Sequence, residues 1–96
     1  MPAVFFFATI RIHDRTGYQH YLDAYDEAFA GTSGEVLAVD DAPIGLEGSP
    51  LTGRVVLIRF PDEAAFHSWY CSDAYKRIVV HRHKAAETDA QLVRGR

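Results

Sequence analysis

The chain has 96 residues, 48% of them hydrophobic and 24% charged, which is enough for one folded core and excludes a disordered or fibrous chain. Its formal net charge of -3 argues against a nucleic-acid-binding surface, because contacts to phosphates require clustered Lys and Arg side chains. The single cysteine, Cys71, excludes an internal disulfide framework and is typical of a reducing cytoplasm.

The longest apolar run, residues 3–8, is far shorter than the roughly 20 residues that a membrane span needs. The start of the chain also lacks the basic residues and the cleavage site of a secretion signal. We therefore expect residues 1–96 to form a single cytoplasmic domain with neither a membrane nor a nucleic acid as its partner.

Residues 3–12 predict a first strand, because aromatic and β-branched residues dominate the segment. Its even and odd positions are both mostly apolar, which is typical of a central strand that is covered on both faces. Asp14 is then placed to cap a first helix. The stripe of this helix consists of large apolar residues at helical spacing, which are Tyr18, Tyr21, Leu22, Tyr25 and Phe29.

Residues 35–41 predict a second strand, and residues 54–60 predict a third that is apolar on both faces. Between them, residues 42–53 hold two prolines and three glycines and predict a loop, with room for one short edge strand. Asp62 begins a helical region that extends to about residue 86, either as two short helices or as one kinked helix. Residues 88–93 predict the last strand.

This order of elements predicts an α+β fold of the ferredoxin-like, split βαβ type, with a four-stranded antiparallel sheet and the helices on one face. Two helical segments cannot cover both faces of the sheet. The side chains on the face away from the helices would form an exposed apolar patch. They are Phe5, Phe7, Val55 and Leu57, or the alternate set if the strands face the other way. We therefore expect a homodimer in which two sheets pack face to face.

Several short motifs carry a resemblance to a known family. They are residues 12–14 (IHD) with Tyr18 and Tyr21, residues 46–48 (LEG), residues 60–61 (FP), and residues 69–72 (WYCS) with Tyr75. Together they resemble the domain-of-unknown-function family 1330 over nearly the whole chain. The resemblance implies a dimeric α/β barrel, the architecture of small antibiotic-biosynthesis monooxygenases, and implies little about activity.

Four residues are candidates for catalysis. His13 beside Asp14 could act as a general base with a neighbouring carboxylate, or the pair could be a partly exposed imidazole and a helix cap. Asp40 would be held ionised if it faced a pocket beside Arg82 or Arg59. In the catalytic hypothesis, His13 or Asp40 removes a proton and Arg82 stabilises the resulting anion.

An aromatic gap between the helices and the sheet is the candidate binding site. Its expected residues are Tyr18, Trp69, Tyr70, Ser72 and Tyr75. Core packing is the alternative role of the aromatic residues, and a helix cap is the alternative role of Ser72. Cys71, which has no activating base nearby in sequence, is expected to be a small buried thiol.

We expect no metal ion and no cofactor. His81 and His83 lie two positions apart on a helix and point in different directions, so they cannot share an ion. No phosphate-binding glycine loop is present. Haem is the remaining alternative, because the haem-degrading relatives of this architecture use a Trp and a helical His, for which Trp69 and His81 are the counterparts. The strand Asn of those relatives has no clear equivalent.

The sequence thus leaves two functions open. The first is a cofactor-independent enzyme, acting as a homodimer on a small aromatic or carbonyl metabolite. The second is a non-catalytic dimer that binds a small molecule or has a structural role.

Overall fold

The computed structural model describes residues 2–96, so that Met1 of the predicted domain lies outside the described residues. The elements follow one another in the predicted order. They are β1 (Val4–Ile12), α1 (Arg15–Phe29), β2 (Glu35–Asp40), β3 (Arg54–Phe60), α2 (Glu63–Tyr70), α3 (Asp73–Ala85) and β4 (Ala86–Arg94). The strands form an antiparallel sheet in the order β2-β3-β1-β4, which confirms the predicted ferredoxin-like topology.

Side-chain caps begin the helices at the positions that the sequence predicted. Asp14, Asp62 and Ser72 each accept a hydrogen bond from the backbone N–H three residues ahead, at 3.1, 2.8 and 3.1 Å. Because Ser72 has extended backbone angles (φ -68°, ψ 151°), the helical region is divided into two helices rather than forming one kinked helix. Cys71 lies at this junction and is exposed, so the expectation of a buried thiol is wrong.

The helices cover one face of the sheet, as predicted. Alternate residues of β1 point toward them and are buried, and these residues are Val4, Phe6, Ala8 and Ile10. The ring centroid of Phe6 lies 5.9 Å from the centroids of both Phe66 and Trp69 on α2. Tyr21 of α1 contacts Tyr75 of α3, so the two long helices pack side by side above the same face.

The other face, which we call the open sheet face, carries Phe5, Phe7, Val55 and Leu57. These four side chains are only partly buried in the single chain. Phe7 lies directly opposite Leu57 in the β1–β3 register, so the apolar side chains are contiguous. An uncovered apolar patch was predicted, and the structure shows which of the two faces carries it.

Two segments differ in detail from the prediction. Residues 42–53 contain no strand, and β4 begins two residues earlier than expected, directly after α3. The loop reaches β3 through Gly53, whose φ of +90° and close approach to the Ile10 carbonyl leave no room for a Cβ atom. Gly53 directly precedes Arg54, the first residue of β3.

None of the helices within residues 2–96 has the length and apolar character needed to cross a membrane.

Candidate functional site

An apolar pocket of about 180 Å³ lies between the helices and the sheet, and we call it the helix–sheet pocket. The residues that line it come from β1, β2, β3 and all three helices. They are Phe6, Ile10, Tyr18, Tyr21, Leu22, Tyr25, Val36, Val39, Arg54, Val56, Ile58, Trp69 and Arg82. A mostly apolar cavity with a few polar groups on its wall is the usual form of a small-molecule site.

A β-bulge in β2 completes one wall of this pocket. Val36 and Val39 are three positions apart, so in a regular strand their side chains would point to opposite faces. The register shifts between Val36 and Ala38, which places Val36 opposite Ile58 and Val39 opposite Val56. Both valines therefore point toward the helices and line the pocket.

Arg82 of α3 supplies a buried positive charge in the wall of the pocket. Its side chain is 3% exposed. Its Nη1 donates to the Tyr75 hydroxyl at 3.1 Å, and the guanidinium carbon lies 5.7 Å from the centre of the Tyr21 ring. Its Nε has no hydrogen-bond partner among residues 2–96. A guanidinium stays charged at neutral pH. Because Arg82 is buried, its charge has lost most of its hydration, and the hydrogen bond to Tyr75 replaces only part of it.

The tyrosines around Arg82 form a hydrogen-bonded pair and stay protonated. The hydroxyls of Tyr21 and Tyr75 lie 2.7 Å apart. Burial raises the pKa values of Tyr18, Tyr21, Tyr25 and Tyr75 above that of a free tyrosine, because a phenolate is poorly solvated there. The hydroxyls of Tyr18, Tyr21 and Tyr25, which line the pocket, can therefore donate a hydrogen bond to a ligand, and at neutral pH they are not bases.

Arg54 also lines the pocket, but its charge is balanced. Its Nε and Nη2 donate to the two carboxylate oxygens of Asp41 at 2.7 and 3.3 Å. This hydrogen bonding holds the pKa of the Asp41 carboxyl below its usual value. The Arg54 guanidinium also lies 5.5 Å from the centre of the Tyr18 ring. Of the two pocket arginines, Arg82 alone lacks a carboxylate partner within the described chain.

The structure brings three of the predicted site residues together in this pocket, namely Tyr18, Trp69 and Arg82. Tyr75 lies behind them, 1% exposed, and holds Arg82 through its hydroxyl. Tyr70 packs against Phe66, with ring centroids 5.1 Å apart, outside the lining of the pocket.

Ser72 also lies outside this lining. Its hydroxyl donates to the Trp69 carbonyl at 2.7 Å and accepts from the Tyr75 N–H, so it is occupied as the cap of α3.

His13, Asp14 and Asp40 lie away from the pocket. His13 and Asp14 are exposed at the end of β1, and Asp14 is occupied as the cap of α1. Asp40 lies opposite Val55, which places it on the open sheet face, and its carboxylate accepts the N–H of Ala42 at 2.9 Å. The structure does not assemble the expected group of His13 or Asp40 with Arg82.

Sequence reasoning missed Arg54 and the two β2 valines. The signal for Arg54 was available, because it is in phase with Val56 and Ile58 on β3, and both of these residues face the helices. Arg59, the alternative named from the sequence, lies opposite Phe5 and points to the open sheet face. The bulge that turns the valines inward leaves no trace in the periodicity of so short a strand.

The residues of the metal and haem alternatives lie apart from one another in the structure. Within residues 2–96, no group of three or more His, Cys, Asp or Glu side chains is placed to hold a metal ion. Trp69 lines the pocket, whereas the His81 ring lies against His20 with centroids 5.8 Å apart. The two residues that a haem site would require therefore do not face this cavity together.

Comparison with known proteins identifies the fold and a family. Residues 3–96 match the family described as "Domain of unknown function (DUF1330)". No curated protein matches the sequence.

Three solved structures share the fold at low sequence identity. A protein of unknown function from Rhodopseudomonas palustris is 17% identical, with a TM-score of 0.79 over 99% of this chain and 83% of the other. SnoaB, a cofactor-independent oxygenase from Streptomyces nogalater, is 13% identical, with a TM-score of 0.70 over 100% and 95%. A dimeric ferredoxin-like protein of unknown function from Thermobifida fusca is 13% identical, with a TM-score of 0.67 over 98% and 92%.

Proposed function

The chain belongs to the DUF1330 family, and we propose that it binds a small aromatic or carbonyl metabolite in the helix–sheet pocket and acts on it without a cofactor. The observation that carries this proposal is the buried guanidinium of Arg82 in the wall of an otherwise apolar, aromatic cavity. A buried positive charge stabilises a developing negative charge more strongly than one that is surrounded by water.

The chemistry that this pocket supports is the stabilisation of an enolate or a phenolate. Arg82 would lower the pKa of an acidic C–H or O–H group of the substrate, and the Tyr21 hydroxyl could donate a second hydrogen bond. No carboxylate or imidazole from residues 2–96 lines the pocket, and the tyrosines stay protonated. Neither His13 nor Asp40 is therefore placed to act as the base. We propose instead that the substrate is acidic enough to lose its proton to water.

The fold supports an enzymatic role by analogy alone. SnoaB has this fold and is a cofactor-independent oxygenase, but one fold carries many unrelated functions. The absence of an acid–base pair in the lining, within the part of the chain that the structure describes, favours the second candidate, a non-catalytic binding protein. Turnover of a bound compound is the observation that separates the two candidates.

We also propose that the protein is a homodimer joined through the open sheet face. The partly exposed Phe5, Phe7, Val55 and Leu57 form a contiguous apolar surface that a second copy would bury. The dimeric ferredoxin-like protein from Thermobifida fusca, which has the same fold, supports this assembly.

A binding and turnover screen tests the proposed function. Trp69 is the single tryptophan and lines the pocket, so its fluorescence should change when a phenol or a 1,3-dicarbonyl compound binds. Product formation and oxygen uptake are then measured for every compound that binds, with Arg82→Gln as the inactive variant. Binding without turnover would support only the non-catalytic binding role. No response of Trp69 to any compound would overturn the pocket as the functional site.

A further inference from the structure

Arg82 is a buried cation that forms no ion pair with another residue in the range 2–96. Each ion pair within residues 2–96 belongs to another arginine, namely Arg11, Arg54 or Arg94. Arg82 is 3% exposed, and its Nε is buried without a partner. Removing a guanidinium from water costs several kcal/mol unless a charge and hydrogen bonds compensate it. Neutral hydroxyls, among them that of Tyr75, compensate only part of this cost.

The net charge of the groups around the pocket favours a ligand with a single negative charge. Arg54 contributes no net charge, because Asp41 binds it with both carboxylate oxygens. Tyr18 and Tyr21 on α1 and Tyr75 on α3 are neutral, since burial raises their pKa values. The groups that face a ligand beside Arg82 therefore sum to one positive charge. A dianion would bring a second charge into the cavity with no partner.

The size and the wall of the pocket restrict the rest of the ligand. The cavity measures about 180 Å³. A dry engineered cavity of about 150 Å³ in another protein accommodates benzene, so this one fits a single ring with a small substituent. Aromatic side chains such as Phe6, Tyr25 and Trp69 contribute to the wall and offer favourable contacts to an aromatic ring.

We propose that the helix–sheet pocket selects a single-ring aromatic monoanion, whose planar oxyanion pairs with Arg82 and whose ring contacts the aromatic wall. This inference rests on the proposed function and narrows its substrate class to compounds that are ionised when bound. A phenolate and an aryl carboxylate share this chemistry, and the unpartnered Nε–H of Arg82 could donate to either.

The first experiment measures ionisation in the pocket with 4-nitrophenol, which ionises near neutral pH and whose anion absorbs visible light. An adjacent buried cation should lower the pKa of the bound phenol by about 1–3 units relative to the free compound. Arg82→Gln should abolish this difference. Arg77→Gln is the matched control, because it makes the same change at an exposed position on the same helix and should keep it.

The second experiment compares ligands on the unaltered protein, so its result does not depend on whether a variant folds. Benzoate should bind at least tenfold more tightly than the neutral benzamide and the dianion terephthalate, as measured by Trp69 fluorescence. Tighter binding of benzoate than of the 4-nitrophenol anion would identify a carboxylate, rather than a phenolate, as the preferred anionic group.

The outcomes separate this inference from the proposed function. Equal affinity for benzoate and benzamide, with an unshifted 4-nitrophenol pKa, would overturn the monoanion inference and leave an aromatic-binding pocket. Tight binding of the anions without turnover of any compound would support the inference and remove the enzymatic role. Failure of every aromatic probe to bind would overturn both.

Discussion

Trp69 is 2% exposed, and its ring lies 4.3 Å from the centroid of Tyr75 and 5.5 Å from that of Phe60. Trp69→Ala should lower the free energy of unfolding by about 3–5 kcal/mol, because it empties a cavity at the centre of the core. Trp69→Phe should cost less, since it keeps a ring and removes the buried, unpartnered Nε1. Urea unfolding measures both changes, with the exposed Val80→Ala as the control.

The emission of the same tryptophan tests its burial, and its replacement tests its contact with a ligand. A buried indole should emit at a shorter wavelength than free tryptophan, and Trp69→Phe should weaken the binding of a single-ring aromatic. Emission close to that of free tryptophan would mean that the ring is solvated, which would contradict its place in the core and in the pocket. A loss of stability below 1 kcal/mol for Trp69→Ala would contradict the core assignment independently.

Tyr75 holds Arg82 in place and has no contact with the cavity of its own. Tyr75→Phe removes the acceptor for Arg82 Nη1 and the partner of the Tyr21 hydroxyl, so it should lower the unfolding free energy by about 1–3 kcal/mol. Tyr25→Phe is the matched control, because the Tyr25 hydroxyl has no hydrogen bond to another described residue. Equal effects of the two variants in thermal or urea unfolding would show that the Tyr75 hydroxyl does not matter.

At the scale of elements, the strands and helices were predictable because each has a strong local signal. Asp14, Asp62 and Ser72 cap the helices where the sequence places them. Alternation along β1 and β3 divides their residues into two sets, but both sets are apolar, and only the structure shows which set the helices cover. The site was less predictable, because it depends on which face of the sheet each polar side chain occupies. Alternation along β3 separates Arg54 from Arg59, but a bulge in β2 overrides simple alternation.

The bulge in β2 can be tested through the two valines that it turns toward the helices. Replacing both Val36 and Val39 by Ala shortens these side chains and removes their apolar contacts with a bound ring. Binding of 4-nitrophenol should weaken roughly tenfold, which corresponds to ~1.4 kcal/mol. Leu37→Ala, at the neighbouring exposed position outside the lining of the pocket, is the control and should leave the affinity unchanged. Unchanged affinity of the double variant would remove β2 from the site.

At the scale of the whole molecule, the two faces of the sheet have separate roles. The face beneath the helices contains the core and the pocket, and its polar groups are few and buried. The open sheet face is apolar at its centre, while Arg11 near its end pairs with Asp89 at 2.9 Å. This distribution explains why residues such as Asp40, which seemed suited to catalysis from their chemistry, lie on the surface that we assign to assembly.

The assembly is tested by placing a charge at the centre of the open sheet face. Phe7 lies opposite both Leu57 and Gln91, in the middle of the sheet. Phe7→Asp would bury an unpaired carboxylate between two sheets at a cost of several kcal/mol, so the variant should sediment as a monomer at micromolar concentration, where we expect the unaltered chain to be a dimer. Leu46→Asp, at a loop position that is 91% exposed, is the control and should stay dimeric. A dimeric Phe7→Asp variant would place the interface elsewhere, and a monomeric unaltered chain would remove the dimer altogether.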